Sequence, residues 1–252
     1  MEITAHAPGT FCFPELNTSD IDGAKRFYGE LLGWTAFDVP SAAGGYSLMR
    51  VEGQDVAGVH RSDRSQPSWL CYVAVDSTDR VAARAVELGG TQVVAPFDVP
   101  GVGRMAMIED PAQATFALWE ARGMIGARLA DQRGAPCWYE LLTHDLATSG
   151  RFYTGLFGWT ALEKTIESVG PYTTLRSGDQ SVAGMMAIRE DWGEVAPRWQ
   201  VYFAVDDCGL TARQAAALKG CVIAGPIDVP KVGTFAVLAD PSEAVFVIFE
   251  AP

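Results

Sequence analysis

The chain states most of itself twice. Arg26-Phe27-Tyr28-Gly29-Glu30-Leu31-Leu32-Gly33-Trp34 returns 125 residues later as Arg151-Phe152-Tyr153-Thr154-Gly155-Leu156-Phe157-Gly158-Trp159. Asp98-Val99-Pro100-Gly101-Val102-Gly103 returns 130 residues later as Asp228-Val229-Pro230-Lys231-Val232-Gly233. Two copies at so long a period mark a duplicated domain, because solenoid repeats are shorter and more numerous. The change in displacement places about five extra residues in the second copy, around Arg189 to Pro197. Any site built into the first copy should have a counterpart in the second, so comparing them shows which chemistry was kept.

Within each copy a shorter unit also recurs. Phe11 to Asn17 alternates and runs into Thr18-Ser19-Asp20, a strand followed by a helix cap. Ile21 to Leu32 then puts Ala24, Phe27, Tyr28, Leu31 and Leu32 on one helical face and stops at Gly33. Trp34 to Val39, Tyr46 to Val51 and Val56 to His60 read as short strands between glycine-rich turns. The order βαβββ begins again at Trp69 to Val75, with Asp76-Ser77-Thr78 as a cap and a helix over Arg80 to Leu88. Strands follow at Thr91 to Ala95, Arg104 to Glu109 and Thr115 to Glu120. The sequence thus predicts an α+β protein of four βαβββ modules in two tandem domains, residues 8–121 and 135–251. A glycine-broken linker over 122–134 joins them.

Charge and cysteines narrow the partners. A net charge of −12 argues against nucleic acid, whose phosphates call for a basic patch. No apolar run approaches the roughly 20 residues that span a bilayer, and the N-terminus has no signal-peptide pattern, so a cytoplasmic protein is expected. Cys12, Cys71, Cys137, Cys208 and Cys221 form no Cys-x-x-Cys pair and read as buried free thiols. Gly101-Val102-Gly103 reads as a turn rather than a phosphate cradle, and no cofactor is expected. The oligomeric state is left open.

The strand-Asp-helix start ending in Phe27-Tyr28…Leu32-Gly33-Trp34, its repeat copy, and the Asp110-Pro111 and Asp240-Pro241 turns resemble the vicinal oxygen chelate superfamily. This is the glyoxalase, bleomycin-resistance and extradiol-dioxygenase group; the chain looks most like its two-domain glyoxalase-like members, often labelled hydroxylases. The resemblance implies paired modules that form cupped mixed sheets around a pocket. It also implies a divalent metal, bound by a His or Gln on each module's first strand and a Glu on its last. The first-strand ligand typically lies seven residues before the helix-capping Asp, which here gives Phe13, Trp69, Trp138 and Trp199. The last-strand Glu usually falls seven residues after the Asp of the Asp-Pro turn, which gives Ala117 and Val247. Glu120 and Glu250 lie in the opposite strand phase and should face away from the cup. No metal site is therefore expected, although His60 with Glu15 is a conceivable pair.

What stands in place of the ligands suggests a binding site. Alternation puts Phe13 and Glu15 on one face, with Trp138 and Glu140 as their repeat partners, and Trp69 and Trp199 begin the matching strands. Such cups would stack a flat, hydrophobic aromatic ligand and grip its amine or hydroxyl with a carboxylate. The expected ligand-binding set is Phe13, Glu15, His60, Trp69, Trp138, Glu140 and Trp199. Two functions remain open: a metal-free binder of an aromatic metabolite or drug, or a metal-independent enzyme with Glu15 or Glu140 as general base. The same rings could instead fill an unused cup, and the carboxylates could be paired with an Arg such as Arg104.

Overall fold

The computed structural model describes residues 2–40, 45–63 and 66–252. Module one is β1 (Phe11–Thr18), α1 (Ile21–Leu32), β2 (Thr35–Asp38), β3 (Tyr46–Val51) and β4 (Gln54–Arg61). Module two is β5 (Ser68–Ala74), α2 (Thr78–Glu87), β6 (Thr91–Val99), β7 (Gly103–Glu109) and β8 (Thr115–Ala121). The second domain repeats both. Its third module is β9 (Pro136–Thr143), α3 (Leu146–Phe157), β10 (Thr160–Ile166), β11 (Gly170–Ser177) and β12 (Gln180–Ala187). The fourth is β13 (Arg198–Ala204), α4 (Cys208–Ala217), β14 (Cys221–Val229), β15 (Gly233–Ala239) and β16 (Val245–Glu250). A short 3-10 turn, Glu190–Trp192, lies in the extra segment of the second copy.

Each domain is one eight-stranded sheet in which two modules meet at their first strands, in the order β2-β3-β4-β1-β5-β8-β7-β6 and its repeat β10-β11-β12-β9-β13-β16-β15-β14. β1 runs parallel to β4 and antiparallel to β5, and β5 runs parallel to β8. β6 runs past the expected Ala95 to Val99 and turns through Gly101-Val102 into β7. Trp34 lies just before β2 and is buried, donating its indole N–H to Gly134 O at 2.6 Å.

The repeated Phe-Tyr motif locks the two domains together. Tyr28 on α1 is fully buried and donates to Asp240 Oδ2 across the chain at 3.1 Å, while accepting from Trp69 Nε1 at 3.3 Å. The second copy mirrors this: Tyr153 hydrogen-bonds Asp110 and accepts from Trp199 Nε1 at 2.8 Å. The Asp of each Asp-Pro turn also accepts two backbone N–H groups of its own turn, so the buried carboxylates are well satisfied. The helix-side faces of both sheets share one continuous core, which includes Phe27, Tyr28, Trp69, Tyr153, Trp199 and Phe203. No described helix is long and apolar enough to cross a membrane.

Not all five thiols are buried as expected: Cys221 is exposed and Cys137 half-buried, whereas Cys12, Cys71 and Cys208 are buried. Residues 122–134, expected as the linker, pack along the first domain: Ala127 N donates to Cys12 O, Arg128 N to Asp55 O, and Met124 packs on the cup.

Candidate functional site

The face of each sheet opposite the helices is the cup, and strand register decides who looks into it. Glu15 sits opposite Leu70 on β5 and beside Gly58 on β4; Phe13 sits opposite Tyr72. Phe13, Leu70, Tyr72, Ala117 and Trp119 share one buried cluster on this face. Trp69 and Trp199 do not belong to that wall. They lie one residue out of phase and pack with Tyr28 and Tyr153 in the core between the domains. The physical reason is the cap. In modules one and three Asp20 and Asp145 cap the helix, but in modules two and four the capping side chains are Ser77 and Asp207, one residue later than assumed. Counting seven back from those caps gives Leu70 and Gln200, and a one-residue slip moves a strand residue to the other face.

Glu15 and Glu140 are the carboxylates at the two cup centres. Tyr72 Oη donates to Glu15 Oε1 at 3.0 Å, and Tyr46 also hydrogen-bonds it. Tyr202 Oη donates to Glu140 Oε1 at 2.8 Å, with Tyr172 as the second phenol. Among the described residues neither is paired with an arginine; Arg104 instead holds Asp79 and Asp98. Burial pushes the Glu15 carboxyl up, offset in part by His60 and the two phenols. Burial likewise pushes Glu140 up to about 7, opposed by its phenols. The tyrosines were missed from the sequence, yet Tyr46/Tyr172 and Tyr72/Tyr202 are identical between copies and in cup phase.

The glycines beside these carboxylates explain the geometry. A Cβ on Gly58 would overlap Tyr46 Oη, and one on Gly184 would overlap Tyr172 Oη. Each phenol therefore leans over a glycine to reach its carboxylate. By the module pairing, Gly58 and Gly184 occupy the same place on their last strands as Ala117 and Val247.

The residues present do not supply the metal ligands that the superfamily resemblance implies. The ligand positions are Phe13, Gly58, Leu70 and Ala117 in the first cup, and Trp138, Gly184, Gln200 and Val247 in the second. Only Gln200 carries a donor, and its Oε1 accepts from Arg198 at 3.0 Å. Glu120 and Glu250 face the other way, as expected, each accepting from a helix N-terminus, at Thr78 N and Cys208 N. His60 is beside Asn17, its Nδ1 3.2 Å from Asn17 Oδ1. Among the described residues no group of three His, Cys, Asp or Glu side chains converges. The donor set does not fit a site that needs three protein ligands and an open position.

A cavity of about 1770 Å³ occupies the first cup and its mouth. Phe13, Glu15, Tyr46, His60 and Tyr72 border it, together with Met105, Met107, Trp119 and Met124 on the far wall. The second domain adds part of the rim through Pro197, Arg198 and Glu243, and the edges of Trp69 and Trp199 reach it there. A smaller cavity of about 590 Å³ lies between α3 and the β10–β11 edge. Glu140, Trp138 and Tyr202 border neither. The structure thus brings Phe13, Glu15 and His60 of the expected set to the cavity wall, with Trp69 and Trp199 at its rim. Trp138 and Glu140 form a separate cluster, in which Trp138 Nε1 donates to Tyr172 Oη at 3.0 Å.

This architecture has known counterparts. The chain is 39% identical over 249 residues to CFP32 of Mycobacterium tuberculosis, whose name carries a provisional glyoxylase label; 96% of this chain and 95% of that one are covered. It is 34% identical to the anthracycline biosynthesis protein DnrV of Streptomyces peucetius, with 98% and 95% covered. Among solved structures it shares the fold of the 2,3-dioxygenase LapB from Pseudomonas sp. KL28, with TM-score 0.68, 13% identity, and 98% and 94% covered. The Mn(II)-bound glyoxalase from Novosphingobium aromaticivorans gives TM-score 0.66 at 16% identity, with 96% and 82% covered. Residues 14–119 match the family described as glyoxalase-like domain. With residues 137–248 matching the second such domain, the chain belongs to the glyoxalase/bleomycin resistance protein/dioxygenase superfamily.

Proposed function

We propose that the first cup binds a hydrophobic, planar aromatic small molecule without a metal, in sequestration or in support of a natural-product pathway. The observation that carries this reading is the cavity itself: an apolar, thioether-rich wall of Phe13, Leu70, Met105, Met107, Trp119 and Met124 beside the Glu15 carboxylate, which two phenols hold. Flexible methionines adapt to an irregular flat ligand, and few polar groups in an apolar pocket fix its orientation. Relatives named for anthracycline biosynthesis support a fused-ring ligand class. The test is a tryptophan-fluorescence titration with fused-ring quinones and phenols, 1,4-dihydroxyanthraquinone first. Saturable quenching is expected, weakened about tenfold by Glu15→Gln, the loss of one hydrogen bond to a charged group. If no member of such a panel quenches, the reading fails.

A second reading is favoured by the raised Glu15 carboxyl, which borders the cavity and faces Tyr72, Tyr46 and His60. A carboxylate whose proton affinity burial has raised can act as a general base. Turnover of a bound ligand that disappears in Glu15→Gln while binding persists would replace the binder by a metal-independent enzyme. Glu140, the other base candidate, borders neither cavity and is the weaker choice.

A further inference from the structure

The two cups share their centres but not their ends. At one end of the first cup, Asn17 and His60 are register partners on β1 and β4. His60 stays exposed and lines the cavity with Asn17. The same two places in the second domain hold Leu142 and Met186, also register partners and both buried. They pack with Ile188, Val169, Tyr172 and Val195. Val195 belongs to the extra segment of the second copy, and His144 Nε2 lies 3.1 Å from its carbonyl, holding the segment down. Beneath it the polar atoms satisfy one another: Glu140 takes both phenols, and the Trp138 indole takes Tyr172.

We propose that the chain takes one ligand, in the first cup alone. Asn17 and His60 recognise a hydrogen-bonding edge of that ligand, and the extra segment is a standing plug that retires the second cup. The proposal rests on the reading of the first cup as an aromatic-ligand site. An imidazole and an amide side by side at one end of the cavity can set a flat ligand's orientation. Replacing both by Leu and Met, and packing Val195 onto them, removes the polar recognition and covers that end of the second cup.

Equilibrium dialysis of the full chain with 1,4-dihydroxyanthraquinone should give one ligand per chain. Asn17→Leu with His60→Met, which gives the first cup the end of the second, should weaken binding at least about tenfold; Glu140→Gln should leave it within about twofold. Two ligands per chain, or equal losses from the two changes, would overturn the proposal. A ligand-independent arm uses a Cys221→Ser background and iodoacetamide with peptide-resolved mass spectrometry. His60→Cys should alkylate as an exposed thiol, and Met186→Cys at least about a hundredfold more slowly, since reaction needs access. Equal rates mean the plug is open and end the proposal whatever the quinone does. Unequal rates without quinone binding would uphold the closed second cup and refute the ligand reading of the first.

Discussion

The first and second cups start from one frame and end as different objects. Glu15, Tyr72, Tyr46 and Gly58 are matched by Glu140, Tyr202, Tyr172 and Gly184, down to the hydrogen bonds. What differs is around them. Phe13 offers Tyr46 no donor, whereas Trp138 ties down Tyr172. Met105, Met107 and Trp119 wall the first cavity where the second copy has Phe235, Val237 and Phe249. The first cup keeps a polar end and the second a plug of Leu142, Met186 and Val195. A buried carboxylate is therefore part of the frame in this chain and marks no site by itself. The open volume and the unplugged polar end do that.

The largest expected effect comes from filling the two glycines. A Cβ at Gly184 strikes Tyr172 Oη and comes within 3.0 Å of Trp138 Nε1, so the phenol cannot yield without breaking the indole contact. Gly184→Ala should cost about 3 kcal/mol, the upper end for overpacking. At Gly58 the same Cβ meets Tyr46 Oη and comes within 3.0 Å of Phe13 Cε1, but the Phe13 ring makes no hydrogen bond that ties the phenol down, so Gly58→Ala should cost roughly 1 kcal/mol. Urea melts of both variants measure the gap. Equal losses would mean that Tyr46 is as tightly held as Tyr172, and the contrast between an open and a closed cup would not survive.

The sequence made the duplication, the four modules and the helix caps of modules one and three legible, because glycine stops, Asp caps and alternation act locally. It also placed Phe13, Glu15, Trp138 and Glu140 in cup phase. It misplaced Trp69 and Trp199 because Ser77 and Asp207, not Asp76 and Asp206, cap α2 and α4. One residue of cap ambiguity becomes a whole face of the sheet. The interdomain Tyr28–Asp240 bond joins residues 212 apart, and no local pattern announces it. The plug was visible only as extra length. Nothing in Arg189 to Pro197 says that Val195 folds back onto Met186.

A mid-sized effect should follow pH and belong to the second cup. Glu140 titrates near 7 when folded against about 4.5 as its ordinary value, so the folded chain holds more protons in between. Its stabilising contribution is complete below about 4.5 and is lost as pH rises through about 7. The shift corresponds to on the order of 3 kcal/mol at alkaline pH. Glu140→Gln removes the charge but adds amide N–H groups that need acceptors, so a gain of about 2 kcal/mol at pH 8 and little change at pH 4.5 is expected. Thermal melts across that range check it. A stability-pH slope unchanged by Glu140→Gln would show that the second cup admits water to its carboxylate, which a closed cup should not.

The smallest effect should show where the asymmetry stops. Tyr28 and Tyr153 each bridge a tryptophan of their own domain to an aspartate of the other, in the shared core. Losing either hydroxyl orphans one indole N–H, while Asp240 and Asp110 keep their turn N–H donors. Tyr28→Phe and Tyr153→Phe should each cost about 1–2 kcal/mol, the usual penalty for an unsatisfied buried donor. The two losses should agree within about 0.5 kcal/mol, since neither side chain touches a cup and the two share no hydrogen-bond partner. The double variant should cost their sum. A clear inequality in guanidinium melts would carry the divergence of the copies into the core that joins them, and the cups could then no longer be treated as local variations on a symmetric frame.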